Sequence, residues 1–310
     1  VKHLKTRKAR NGSTLWYYQA NGRQIPLKVG TLEEAKREIE RYTGGDSGVK
    51  MFAATAEDYR TGHLPKVSPA TRLGYDRHID TLITAFGSFA LDDIRPMHVR
   101  QYLDRRTKKT AGNREVSVLS HLWNWARQKG FTDLANPCLG VDRNRQCPRS
   151  RYVTDDEYLA VWERADPTLR DAMDLMLLTG QRPSDVLRMT RQDIRDGHLW
   201  VTQSKTGAKV GIEVVGDLAA VVARILTPGA VASLYLISDE HGQPLNVVQL
   251  GKRFSRVRAG ADWQLRDLRA KAATESPDLK TAQQLLGHRT EITTAGIYRR
   301  VRGNVVKPLR

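Results

Sequence analysis

The stretch LLGHRTEITTAGIYRR, residues 285–300, sets a histidine, His288, ten positions ahead of a tyrosine, Tyr298, which stands between Ile297 and two arginines. Alone it reads two ways. It is either one side of an ordinary amphipathic helix, or a phenol beside cations that would collect a phosphate. What stands upstream decides between them.

Lysine and arginine number 51 against 34 aspartates and glutamates, a formal net charge of +17 spread from Lys2 to Arg310. A folded chain this basic is expected to meet a polyanion, most simply nucleic acid, because a field of this sign speeds encounter with phosphates and favours binding. With 310 residues and 40% apolar content the chain is long enough for two or three cores. Its two cysteines, Cys138 and Cys147, have no metal-ligand spacing to another Cys or to a His pair. Neither a disulfide scaffold nor a bound metal is expected, and a reducing cytoplasm fits. No apolar run approaches the ~20 residues of a membrane span, so no membrane partner is expected. No signal peptide opens the chain, and a first residue of Val leaves room for residues upstream.

The N-terminal run KHLKTRKAR precedes STLWYYQA and RQIPLKVG, and Asn21-Gly22 lies between those two strand-like runs, the strongest short hairpin signal. TLEEAKREIERY follows, with capping-box spacing from Thr31 to Glu34 and Leu32, Ala35, Ile39 and Tyr42 at helical intervals. The prediction is a small ββα-like unit over 1–45, closed by the GGDSG linker. Lys2, Lys5, Arg7, Lys8 and Arg10 either lay a basic arm against DNA or are simply solvated.

From 51 to 145 the pattern is helical. Ser68-Pro69 is an N-cap followed by N1, and Tyr75, Ile79, Leu82, Ile83 and Phe86 form one stripe. A shorter helix starts near Pro96, and a third runs from about Asn113 to Lys129, with Gly130 as its stop. In RRTKKTAGNR, Arg106, Lys108, Lys109 and Arg114 crowd what reads as a loop fit to grip a phosphate backbone. The basic connector VDRNRQCPRSR marks a boundary, after which Thr154 and Glu157 repeat the capping-box spacing and helical periodicity resumes. HLWVTQSKTGAKVGIEV has strand character on both sides of a turn.

Four pieces of the last 160 residues share one chemical logic. TGQRPSDVL leaves Arg182 between a helix ending at Gly180 and another beginning at Pro183. SKTGAK puts Lys205 on a hairpin turn, QLRDLRAKAAT sets Arg266 and Arg269 three apart on one face of a helical turn, and the opening stretch supplies His288 and Tyr298. Guanidinium forks stabilise the charge that phosphoryl transfer spreads over non-bridging oxygens. A phenol of ordinary pKa near ~10 attacks phosphorus when cations and a base assist it, and a lysine can protonate the leaving oxygen.

In this order the residues resemble a tyrosine recombinase of the phage integrase family, with 152–310 similar to the catalytic domain, 51–145 to the helical core-binding domain and 1–45 to an arm-type DNA-binding domain. The resemblance implies a mainly α fold with small β elements (α+β), in which a SAM-like helical domain precedes a mixed catalytic domain carrying a β-hairpin. It implies that Arg182 and Arg269 clamp the scissile phosphate, Lys205 protonates the leaving 5′ oxygen, His288 hydrogen-bonds the phosphate and Tyr298 attacks. Asp185 would orient catalytic side chains. The implied reaction is integration or excision of a mobile element through a 3′-phosphotyrosine and a Holliday junction, without ATP, metal or cofactor. Implied partners are double-stranded DNA attachment sites, other copies in a synaptic tetramer, and accessory DNA-bending and directionality proteins, in a bacterial cytoplasm on the nucleoid. A topoisomerase-like or resolvase enzyme, and a non-catalytic DNA-binding regulator, stay open as alternatives. One position departs from the family, which most often has a histidine where this chain has Arg266. A guanidinium stabilises a phosphate oxygen but cannot relay a proton.

Overall fold

The structure is a computed structural model that describes residues 4–9, 13–20, 23–27, 29–43, 50–147, 149–227 and 233–298. Cα packing divides the chain into two compact units, Val1–Cys147 and Pro148–Arg310. The division falls inside the basic connector, which has almost no apolar side chain to bury.

In the first unit, β1 (Leu4–Lys8), β2 (Thr14–Ala20) and β3 (Arg23–Leu27) make an antiparallel sheet in that order. Ala20 pairs with Arg23, which leaves two residues for the β2–β3 link, although Asn21-Gly22 itself lies outside the described residues, as do 44–49 with the GGDSG linker. Helix α1 (Leu32–Thr43) packs on this sheet, and Tyr18, Leu27, Ala35 and Ile39 are its buried contacts. Its start is the predicted capping box: Thr31 Oγ1 accepts from the Glu34 N–H at 3.2 Å, and Glu34 Oε2 accepts from the Thr31 N–H at 3.1 Å. The unit is therefore βββα rather than ββα. Part of the basic run is a strand, held by backbone pairing to β2 with Lys5, Arg7 and Lys8 exposed.

Helices α2 (Phe52–Gly62), α3 (Pro69–Phe86), α4 (Pro96–Arg105) and α5 (Lys109–Gln128) complete the unit. Ile79, Leu82, Ile83 and Phe86 of α3 meet Val116, Leu119 and Trp123 of α5 in one core with Phe52, Tyr59, Val99 and Leu103. Complete burial of side chains this size stabilises by roughly 1.5–3 kcal/mol each. Helix α5 begins four residues before the predicted start, so the expected RRTKKTAGNR loop shrinks to residues 106–108.

The second unit runs through α6 (Asp155–Trp162), α7 (Pro167–Thr179), α8 (Pro183–Val186), β4 (Ile194–Arg195), β5 (His198–Thr202), β6 (Lys209–Glu213), α9 (Gly216–Leu226), α10 (Val247–Val257), α11 (Asp267–Glu275), α12 (Leu279–Leu286) and α13 (Glu291–Thr293). A π-helical turn, Thr294–Tyr298, follows. Strands β4, β5 and β6 form an antiparallel sheet in that order, one strand more than the predicted hairpin. Helix α7 buries Leu169, Ala172, Met173, Leu175 and Met176 and contacts both α9 and α11.

Seven consecutive residues of α11, Asp267 to Ala273, are buried, three of them charged. Burying charge costs free energy unless it is paired and hydrogen-bonded. Lys271 donates to the Val153 carbonyl at 3.1 Å and to the carboxylates of Asp155 and Glu275 at 2.5 Å each. Asp267 accepts from Arg149 at 3.1 Å and from the Gln264 N–H at 2.9 Å. Arg269 turns the other way, toward the ends of α7 and α12. Among the described residues, no helix is long and apolar enough to cross a membrane.

Candidate active site

Two left-handed turns meet at Arg269. Helix α7 ends at Gly180, φ +63°, and α12 ends at Gly287, φ +61°. Arg269 Nη1 donates to the Gly180 carbonyl at 2.7 Å and Nη2 to the Leu286 carbonyl at 2.8 Å, so it accepts the role of capping two helices. Both glycines are needed for space as well as for φ. A Cβ on Gly287 would stand 2.9 Å from Gln203 Nε2 and from Val210 Cγ2, and one on Gly180 would stand 3.1 Å from Leu286 Cδ2.

His288 follows the second turn at once. Its Nε2 lies 3.1 Å from Arg269 Nη2 and its Nδ1 2.9 Å from Thr294 Oγ1. A guanidinium only donates, so Nε2 is the acceptor and Nδ1 carries the proton. Burial, then the charges of Arg269 and Arg182, push the imidazole down to about 4, and at neutral pH it is uncharged.

Arg182 occupies the N-cap of α8, as predicted from Gly180 and Pro183. Its Nη1 donates to Gln203 Oε1 at 2.9 Å and lies 3.6 Å from Asp185 Oδ2. Asp185 is buried. Its Oδ1 accepts from the Ser204 N–H at 3.0 Å, from Ser204 Oγ at 2.6 Å and from Arg188 Nη2 at 3.2 Å, tying the arginine turn to the β5–β6 hairpin. The sequence singled out Asp185, but not Gln181, Gln203 or Thr294. All three are fully buried, and neutral polar side chains carry no sequence signal until their hydrogen bonds are seen.

Arg182, Arg269 and His288 thus come together around the ends of α7 and α12. Lys205 stands exposed on the β5–β6 turn, and Arg266 is exposed at the N-cap of α11 while Arg269, three residues on, is buried. Among the described residues, neither Lys205 nor Arg266 hydrogen-bonds the other three. The backbone of Tyr298 closes the π-helical turn four residues after Thr294, and its side chain lies outside the description.

The other cations singled out belong to the first unit. Lys5, Arg7 and Lys8 line β1, whereas Lys2 and Arg10 fall outside the described residues. Lys108 and Arg114 are exposed. Arg106 is committed within the protein: its Nε and Nη2 donate to buried Glu115 at 2.8 and 2.7 Å. Lys109 donates to the Asp104 carbonyl at 3.0 Å, capping α4.

Residues 151–304 match the model of the phage integrase family. The integrase of Escherichia phage HK022 is 30% identical over 303 residues, covering 90% of this chain and 84% of that protein. The integrase of Escherichia phage lambda is 34% identical over 259 residues, 76% of this chain and 72% of that protein. Among solved structures, a lambda integrase dimer bound to a COC′ core site aligns with a TM-score of 0.74 at 22% identity, over 100% of this chain and 98% of that one. A lambda integrase tetramer bound to a Holliday junction gives 0.73 at 22% identity over the same shares. These two extend the likeness of fold, mainly α with small antiparallel sheets, to the whole chain. By sequence match and by fold, the chain belongs to the phage integrase family.

Proposed function

We propose that the chain is a site-specific DNA recombinase that joins two attachment sites through a 3′-phosphotyrosine and a Holliday junction. The convergence of Arg269, neutral His288 and Arg182 just ahead of Tyr298 is the observation that carries this reading. Arg182 and Arg269 bind the non-bridging oxygens of the scissile phosphate, where fixed guanidinium donors stabilise the charge of the transition state. Tyr298 gives up its phenol proton to water and attacks phosphorus, the bond to the 5′ oxygen breaks, and Lys205 gives that oxygen its proton. The new phosphodiester keeps the bond energy, so a 5′ hydroxyl from a second site reverses the step without ATP.

A neutral imidazole whose proton is on Nδ1 has none on Nε2 to offer a phosphate. As the phosphate arrives, its charge offsets the two guanidiniums, Nε2 takes up a proton, and His288 becomes a donor to the phosphoryl oxygen. Asp185 holds Arg182 and the hairpin in register. Arg266, exposed near the site, contributes charge where a histidine would also relay a proton. Lys2, Lys5, Arg7, Lys8 and Arg10 with β1 form an arm-type DNA-binding domain over 1–45. Lys108 and Arg114, with Arg106 and Lys109 as far as their internal bonds allow, contact phosphates from the core-binding domain over 51–145, and 152–310 is catalytic. The protein acts as a tetramer on DNA in the bacterial cytoplasm, on the nucleoid, with accessory bending and directionality proteins as partners.

The test uses the core site recovered by selection from a pool of random duplexes. Two labelled duplexes carrying that site, incubated with the full chain in EDTA, should yield four-way junctions and then recombinant duplexes. Relaxation of a supercoiled plasmid with no recombinant product would instead favour a topoisomerase-like enzyme, and binding with no strand cleavage a DNA-binding regulator.

A further inference from the structure

Gln203 is fully buried between the end of β5 and the hairpin turn, and its amide is saturated. Its Oε1 accepts from Arg182 Nη1 and from Thr206 Oγ1, both at 2.9 Å. Its Nε2 donates to Gln181 Oε1 and to the Leu286 carbonyl, both at 2.8 Å. Those four partners sit on the Arg182 turn, on the turn that carries Lys205, beside Gly180, and two residues before His288. Arg269 donates to that same Leu286 carbonyl. One neutral side chain therefore bonds to the segments that carry Arg182, Lys205 and His288, and meets Arg269 of α11 at a shared carbonyl.

The backbone adds to this. The Gln203 N–H donates to the Ala208 carbonyl at 2.8 Å, and its own carbonyl accepts from the Gly207 N–H at 2.9 Å, so the same residue closes the Lys205 turn. A carboxylate in its place would accept from Arg182 and Thr206 but would face Gln181 Oε1 and the Leu286 carbonyl without a proton to donate. The site calls for a group that accepts on one side and donates on the other, and among side chains of this length the amide alone does both while staying neutral.

We infer that Gln203 is a positioning residue for DNA cleavage: it holds the phosphate-binding Arg182 and the proton-donating Lys205 in one register, through its Oε1 shared between Arg182 and Thr206. The inference rests on the recombinase reading above and adds a residue that touches no substrate. It separates two effects. Loss of the amide should slow the chemical step and leave DNA affinity alone.

Gln203→Met keeps length and bulk and removes all four bonds. Thr206→Val, on the exposed turn, removes the link between the amide and the hairpin, together with the 3.4 Å bond from the Ala208 N–H, and leaves the core intact. Each is measured on a nicked suicide duplex carrying the selected core site, with an ordinary 5′ oxygen or with sulfur as the bridging atom, since a thiolate leaves without being protonated. Expected are DNA affinity within about twofold of the parent, cleavage slowed at least tenfold by Gln203→Met and severalfold by Thr206→Val, and a smaller deficit for both on the sulfur duplex, as for Lys205→Ala. Parent-like cleavage by both variants, or a deficit equal on the two duplexes, would overturn the inference. Should Gln203→Met not fold, Thr206→Val alone decides. The recombinase reading fails separately, if the unaltered chain forms no covalent adduct on the oxygen duplex.

Discussion

His288 lies against the Arg269 guanidinium and feels the charge of Arg182 as well. His288 is held down to about 4 in the folded chain, against an ordinary value near 6.5, so between those values the unfolded chain binds the extra proton. The stability this contributes is present above pH ~6.5 and is lost as pH falls toward about 4. Urea unfolding of the free protein should therefore lose more stability between pH 7 and pH 5 than unfolding of His288→Gln does, and equal slopes would contradict a neutral His288. Arg266 poses the opposite case, a charge with no proton to exchange. Exposed and unbonded among the described residues, it is expected to act through charge alone. Arg266→His should then alter the cleavage rate by less than about tenfold, ~1.4 kcal/mol of barrier, and a larger gain would show that proton relay is limiting.

The turns that close α7 and α12 bring the site together, and their glycines are under two constraints at once. Gly287→Ala adds a strained φ and a Cβ 2.9 Å from Gln203 Nε2, whereas Gly197→Ala, also at positive φ, meets open space. The first should cost about 1–3 kcal/mol and more than the second, read as the shift in denaturant midpoint. Equal costs would mean that the contact with Gln203 relaxes freely. Of the two turns, that of Gly287 was not singled out, whereas that of Gly180 was legible in the sequence, because TG before QRP is an ordinary helix stop. Strand β1 was not. Its run of Lys and Arg has no alternation, and it is a strand only because β2 supplies backbone partners while its cations keep the sheet edge soluble. The early start of α5 was hidden in the same way. Lys109 and Gly112 read as loop, yet Gly112 lets the helix approach the Arg106 side chain, 3.1 Å from where a Cβ would sit.

Across the molecule, the order Arg182, Lys205, Arg269, His288, Tyr298 was readable because each stands in a short motif with its own turn chemistry. The network that aligns them was not, since Gln181 and Gln203 gain meaning only when residues about 20 to 100 positions apart are brought into hydrogen-bond range, and Thr294 only when the turn before Tyr298 sets it against His288. The net charge of +17 predicted a polyanion partner, but the fold distributes that charge unevenly. Arg106 and Lys109 are spent on internal partners, while Lys5, Arg7, Lys8, Lys108 and Arg114 stay exposed. Tyr298 is the proposed nucleophile of a strand transfer that needs no metal. Its most direct test is denaturing electrophoresis of the full chain after incubation with the suicide duplex in EDTA. A covalent protein–DNA adduct that forms with the parent chain and vanishes with Tyr298→Phe is the predicted result; an adduct of undiminished yield with Tyr298→Phe would contradict it.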